Sequence, residues 1–157
     1  MKQLLLICAA VMGQSVLAAD KKPLTKKESA KVIEAAIRKA AKKPTGELTK
    51  VDYDKVTKLD LGLNQLTDVK GLENLTQLTG LSLFENQLTN VKGLENLTQL
   101  THLTLFSNQL TDVKGLEKCT QLEVLWLSYN PLTKAQIDQL QKALPNCSII
   151  FEVALDL

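Results

Sequence analysis

Three cysteines, one histidine and six aromatic residues are the chemically distinctive side chains of this 157-residue chain. His102 is the single histidine, so a centre built on several imidazoles lacks its material. Zinc takes three or four protein ligands, and no ligand spacing joins Cys8, Cys119, Cys147 and His102, so neither a metal nor a cofactor is implied. The Gly-x-Ser-x-Gly elbow, the His-Glu-x-x-His helix and a glycine-rich phosphate loop are all missing from the sequence. No motif joins His102 to a carboxylate or a serine, and it reads as a contact rather than a base. The residue types therefore speak against catalysis. What they offer is recognition chemistry: Phe84, Phe106, Trp126 and Tyr129 are rigid, area-rich anchors of the kind that dominate binding energy. Whether they act together depends on the elements that carry them.

Those elements repeat. Asn64, Asn86, Asn108 and Asn130 are spaced by 22 residues, as are Gly71, Gly93 and Gly115, and successive units begin at Val56, Leu78, Leu100 and Leu122. Each unit reads LxxLxLxxNxL. In Leu81-Ser82-Leu83 the alternation is that of a strand with one apolar face. The three-residue spacing of Val91, Leu94 and Leu97 then suits a 3₁₀ turn that returns the chain along the outside. An asparagine inside such a coil must have its amide satisfied, so Asn64, Asn86, Asn108 and Asn130 are predicted to form a hydrogen-bonded ladder to backbone at the bend. Leucine is the commonest residue of the chain because it fills the inward positions of every coil.

The pattern over residues 46–157 resembles the leucine-rich repeat. Its 22-residue length is similar to the internalin type of bacterial repeat, and the Gly-x-Ile-Pro run of plant repeats is absent. The resemblance implies an α/β solenoid: a short right-handed coil with a parallel concave β-sheet, an N-terminal capping helix and a C-terminal helix plus strand cap. It also implies protein recognition without catalysis, and it names no partner.

Differences between the units point to the surface used. Unit 56–77 and unit 78–99 differ at six positions, as do units 78–99 and 100–121; seven of these twelve differences fall in the four predicted solvent-facing columns, 4 of 22 positions. Uniform change would place only about two there. The columns are Lys58, Gly80, His102, Val124; Asp60, Ser82, Thr104, Trp126; Gly62, Phe84, Phe106, Ser128; and Leu63, Glu85, Ser107, Tyr129. The sequence thus predicts a binding face containing Phe84, Phe106, Trp126, Tyr129, His102, Glu85, Lys58 and Asp60, with a protein or peptide as ligand. Two other readings share it: a carbohydrate or cell-wall binder stacking sugars on the aromatics, and an enzyme inhibitor. A scaffold role, with Phe84 and Phe106 stacked on each other, is the bland alternative.

Residues 1–18 have a positive start, an apolar run from Leu4 to Met12 and small residues at the end, the form of a secretory signal peptide. Nine apolar residues are too few to span a bilayer, which takes roughly 20. The sequence predicts an exported protein, periplasmic or secreted, with no stable membrane insertion. Residues 19–45 are assigned to a basic amphipathic helix opened by a Thr25/Glu28 capping box, with Ala30, Ile33, Ile37 and Ala40 inward. Its Lys26, Lys27, Lys31, Arg38, Lys39, Lys42 and Lys43 are read as a solvated face, since no Trp or Phe accompanies them for membrane insertion. A formal net charge of +2 predicts no nucleic-acid partner. Val51 and Tyr53 or Val56 are predicted to cover the first coil. After repeats 56–77, 78–99, 100–121 and 122–143, a cap over 144–157 includes an edge strand within Ser148–Val153, preceded by a helix with a Thr133/Gln136 capping box and inward Ile137, Leu140 and Leu144. Cys119 reads as a small core hydrophobe. Laying Cys147 on it, as the equivalent position of a lengthened final coil, makes a Cys119–Cys147 disulfide possible in an exported protein. The Asn-x-Ser/Thr triplets at Asn74, Asn96 and Asn146 recur with the repeat and carry no functional weight.

Overall fold

The computed structural model describes residues 22–152. The proposed signal at 1–18 lies outside them. The elements are helix α1 (Lys26–Ala40), a short helix α2 (Lys50–Asp54), strands β1 (Lys58–Asp60), β2 (Gly80–Ser82), β3 (His102–Thr104) and β4 (Val124–Trp126), helix α3 (Lys134–Ala143) and strand β5 (Ser148–Ile150). Three 3₁₀ turns, Leu72–Asn74, Leu94–Asn96 and Leu116–Lys118, lie between the strands. The strands form one parallel sheet in sequence order. Register follows the repeat, with Leu59, Leu81, Leu103, Leu125 and Ile149 in one row. This is the repeat solenoid that the leucine spacing predicts.

Every inward position of the unit is a buried column. Leu61, Leu83, Leu105 and Leu127 lie behind the sheet, Leu66, Leu88, Leu110 and Leu132 follow the bend, and Leu72, Leu94 and Leu116 anchor the 3₁₀ turns. Burying one such leucine contributes about 1.5–3 kcal/mol, and stacking makes these columns one continuous core. Gly71, Gly93 and Gly115 open the turns at φ 104° to 106°, a conformation that other residues reach only with strain. Glu73, Glu95 and Glu117 each accept the backbone N–H of that glycine. Upstream, Asp68, Asn90 and Asp112 accept the N–H two residues on, which explains why Asp and Asn interchange there.

Both ends are covered. Helix α1 has the Thr25/Glu28 capping box and inserts Ile33 and Ile37, with Ala41 just beyond its end, into the repeat core; Ser29 is the other buried residue of the helix, whereas Ala30 is half-buried and Ala40 exposed. The helix is tied to the first coil through Leu24 N–H to Gln65 O (3.1 Å) and Thr67 Oγ1 to Leu24 O (2.8 Å). The apolar side of helix α1 thus belongs to the same core as the repeats. Nor is the basic face wholly solvated. Arg38 pairs with Glu34 and donates to Gly46 O, and Lys43 pairs with buried Asp52. Of the residues predicted to cover the first coil, Val56 is buried and Tyr53 packs on the core, whereas Val51 is exposed.

At the other end α3 carries its Thr133/Gln136 capping box and buries Ile137 and Leu140, with Leu144 behind them. Strand β5 pairs with β4, Val124 opposite Ser148. The final coil is therefore shorter than the one that laying Cys147 on Cys119 assumes. Cys147 directly precedes β5, whereas Cys119 lies five residues before β4. The two are not equivalent, and both are free, buried thiols, so the Cys119–Cys147 bridge is not formed. Burial pushes the Cys119 thiol up to about 11, leaving little reactive thiolate at neutral pH.

Candidate binding face

The first two predicted columns are strand residues, but the third and fourth are not. They lie in the bend, where backbone ladders continue: Leu63 N–H donates to Phe84 O (3.0 Å), Glu85 N–H to Phe106 O (2.9 Å), Ser107 N–H to Ser128 O (3.0 Å) and Tyr129 N–H to Glu152 O (3.1 Å). All four residues of the fourth column are left-handed: Leu63 at φ 62°, Glu85 at 48°, Ser107 at 53° and Tyr129 at 57°. A non-glycine residue holds that conformation only where its surroundings fix it, and here each coil fixes the one before. The consequence is uneven exposure. Leu63 and Tyr129 are exposed, but Glu85 is 6% and Ser128 3% exposed. The expectation that Glu85 faces solvent is thus wrong.

The aromatics pair with specific neighbours. Phe106 meets Tyr129 edge to face, with ring centroids 5.1 Å apart and planes at 75°. Among the described residues this is the one aromatic pair, so Phe84 and Phe106 do not stack on each other. Phe84 instead lies over Gly62, where an added Cβ would collide with its ring. Gly62 therefore makes room for a ring one coil on, a role visible in sequence only as glycine and phenylalanine adjacent in a column. Trp126 is half-buried at the end of β4. Together these residues form an aromatic ridge along the C-terminal ends of the strands.

Beside the ridge is a shallow basin of about 760 Å³, lined by Lys58, Asp60, Gly80, Ser82, His102 and Thr104 among others. Gly80 keeps its floor low, with the Lys58 stem alongside. His102 is exposed, its Nδ1 2.9 Å from Thr101 Oγ1. Asp60 Oδ1 accepts the Gly62 N–H at 3.0 Å. No group of three or more metal-ligating side chains occurs among the described residues.

Behind the face run the asparagines. Asn108 Nδ2 donates to Leu83 O (2.9 Å) in the preceding coil and Leu105 O (3.1 Å) in its own, while Oδ1 accepts from Leu88 N (3.0 Å). Asn86 and Asn130 repeat this geometry. Asn64, with no earlier repeat to reach, makes one side-chain bond, to Gly62 O.

The family model described as Leucine Rich repeats (2 copies) matches residues 98–146. The fold is the leucine-rich repeat solenoid, and it is similar to that of the internalins. An internalin, InlF, from Listeria monocytogenes superposes with a TM-score of 0.65 at 22% identity, over 78% of this chain and 42% of its own. A Leptospira interrogans leucine-rich repeat protein gives 0.59 at 32% identity, over 67% of this chain and 28% of its own. The ectodomain of an Arabidopsis thaliana receptor kinase, GASSHO1/SCHENGEN3, solved in complex with Casparian strip integrity factor 2, gives 0.52 at 23% identity, over 68% of this chain and 14% of its own. This repeat protein thus spans less than half the length of each. No curated protein matches the sequence. No described helix is long and apolar enough to cross a membrane.

Proposed function

We propose that this repeat protein is an exported, non-enzymatic recognition module that binds a protein or peptide through its concave face. The observation that carries the reading is the coincidence of two patterns. Change between repeats concentrates in the outward columns, and those columns hold the aromatic ridge of Phe84, Phe106, Trp126 and Tyr129 beside the shallow basin. Rings fixed by their neighbours lose little entropy on binding, which favours affinity. The sheet sets the scale: strands about 4.8 Å apart give a patch about 20 Å wide, suited to a peptide or the edge of a small domain. The receptor kinase ectodomain in its complex supports such use of the fold.

The deciding experiment compares wild type with Trp126→Ala/Phe106→Ala in capture from envelope and culture fractions, alongside a glycan panel. The double variant is expected to lose the captured protein while keeping its far-ultraviolet circular dichroism. Equal recovery of the same proteins by both chains would remove the concave face from the reading. Saturable glycan binding that the variant loses would transfer the face to a carbohydrate ligand.

A further inference from the structure

Two basins on the concave side share a wall. The one that Ser82 and His102 line, and a second of about 570 Å³ between helix α1 and β1, are both bounded by Lys58, Leu59 and Asp60, so the trough continues past the first strand onto the helix. Val32, Ala35, Ala36 and Ala40 make its helical wall, with Lys39 among them. Lys39, Lys58 and His102 are exposed, and none of the six ion pairs among the described residues includes them. Asp60 is the one acid in either lining, and its Oδ1 is taken by Gly62 N–H. Lys58, Gly80 and His102 occupy one row of the sheet. The missing side chain at Gly80 therefore leaves a notch two strand spacings wide, about 10 Å, between an ammonium and an imidazole. The Lys58 stem leans over it, since a Cβ added to Gly80 would come within 3.4 Å of Lys58 Cγ.

His102 is held in a defined state. Thr101 Oγ1 donates its hydrogen to Thr79 O at 3.0 Å, so at its 2.9 Å contact with His102 it accepts, and Nδ1 carries the ring proton. Nε2 is left for a ligand: it accepts in the neutral ring and donates once the ring is charged. We propose that the Gly80 notch receives a glutamate or aspartate side chain from an extended acidic segment of the protein ligand, its carboxylate held between Lys58 Nζ and His102 Nε2 while the segment continues toward Lys39; the proposal rests on the concave-face reading above. A carboxylate needs a donor on each side, so its binding draws a proton from solvent onto Nε2. The other titrating groups around the ring are Lys58 and Asp60 on β1 and Glu123 just ahead of β4, while Gly80 and Val124, its neighbours in the row, supply none. Asp60 in the shared wall disfavours a dense polyanion, whereas single carboxylates spaced along a peptide meet the cations without crowding it.

The test uses the full chain, isotope-labelled, titrated with an acetylated and amidated glycine–glutamate–glycine–glutamate–glycine peptide, with its glutamine counterpart and with a heparin oligosaccharide. Saturable shifts are expected at Lys58, Gly80, Ser82 and His102, with the glutamine peptide weaker by at least about fivefold. Binding of the glutamate peptide should tighten as pH falls from about 8 to about 5.5, where the histidine ring charges while the glutamates stay ionised. Lys58→Met keeps the stem and should weaken the glutamate peptide by about fivefold, and His102→Gln should remove the pH dependence. Both side chains are exposed, so the melting temperature should hold in each variant. The proposal is overturned by an absence of saturable shifts, by equal binding of the two peptides, by a pH dependence that survives His102→Gln, or by tighter binding of heparin at the same residues, which would make the trough a sulfated-glycan site. If the acidic preference is missing but Trp126→Ala/Phe106→Ala still loses the captured protein, the carboxylate notch falls and the concave-face reading stands.

Discussion

Asparagine recurs in every repeat because one amide can serve two coils at once. In Asn86, Asn108 and Asn130 the Nδ2 donates to carbonyls of both coils, and Oδ1 closes on an N–H of the preceding one. Removing it strands buried backbone groups, so Asn108→Ala is expected to lower stability by about 1–3 kcal/mol. Asn64→Ala should cost less than about 1 kcal/mol, because its amide makes only the bond to Gly62 O. Urea denaturation of the two variants checks this, and equal losses would contradict a ladder spanning coils. The ladder was legible because its residue type and period are fixed by backbone geometry that every repeat shares. Glu85 was not read correctly, since its placement on the solvent side assumed the column pattern continued past the strand. Parity gave no signal, because Leu63 and Tyr129 hold the same place in their coils and are exposed.

Elements differ in how much of them a sequence can reveal. The two long helices were legible from a capping box and an apolar spacing, both of which are local. Helix α2, of five residues, also opens with a capping box, Thr49/Asp52, to which Lys43 and Lys55 add their charges. Buried Asp52 accepts Thr49 N–H at 3.0 Å and Thr49 Oγ1 at 2.7 Å, and is flanked by Lys43 and Lys55 Nζ at 3.0 and 3.1 Å. These donors, Thr49 foremost, hold its carboxyl well below the ordinary aspartate range. A folded-state value depressed below the unfolded one stabilises the fold above the unfolded pKa and loses that contribution as pH falls. Asp52→Asn is thus expected to lower the melting temperature by several degrees at neutral pH. The gap from wild type should narrow as pH drops from about 5 toward 2. Scanning fluorimetry across that range is the check, and a gap independent of pH would mean that the asparagine fails by shape rather than charge.

At the scale of the whole molecule, stability depends on closing the two ends of a stack whose middle is uniform. A coil with a neighbour on each side buries its leucines, but the first and last coils would each present an apolar end. Helix α1 covers one with Ile33 and Ile37, and α3 with β5 covers the other with Ile137, Leu140 and Ile149. The sequence showed that caps were needed and where they stood, but not that the first shares the repeat core, since that follows from contacts between segments far apart in the chain, such as Thr67 to Leu24. Burial of Ile33 and Ile37 contributes about 3–6 kcal/mol together, against a total of about 5–15 kcal/mol for a domain of ordinary stability. A chain beginning at residue 46 is therefore expected to lose cooperative unfolding and expose its first coil. Ile33→Ala/Ile37→Ala in the full chain should instead lower the melting temperature and retain a single transition, because the cap keeps its hydrogen bonds to Gln65 and Thr67. Circular dichroism reports the helices and Trp126 fluorescence reports the distant end of the sheet, so coincident transitions in the full chain would show one cooperative unit. A shortened chain that melts cooperatively at the temperature of the full one would detach the helix from the stability of the solenoid.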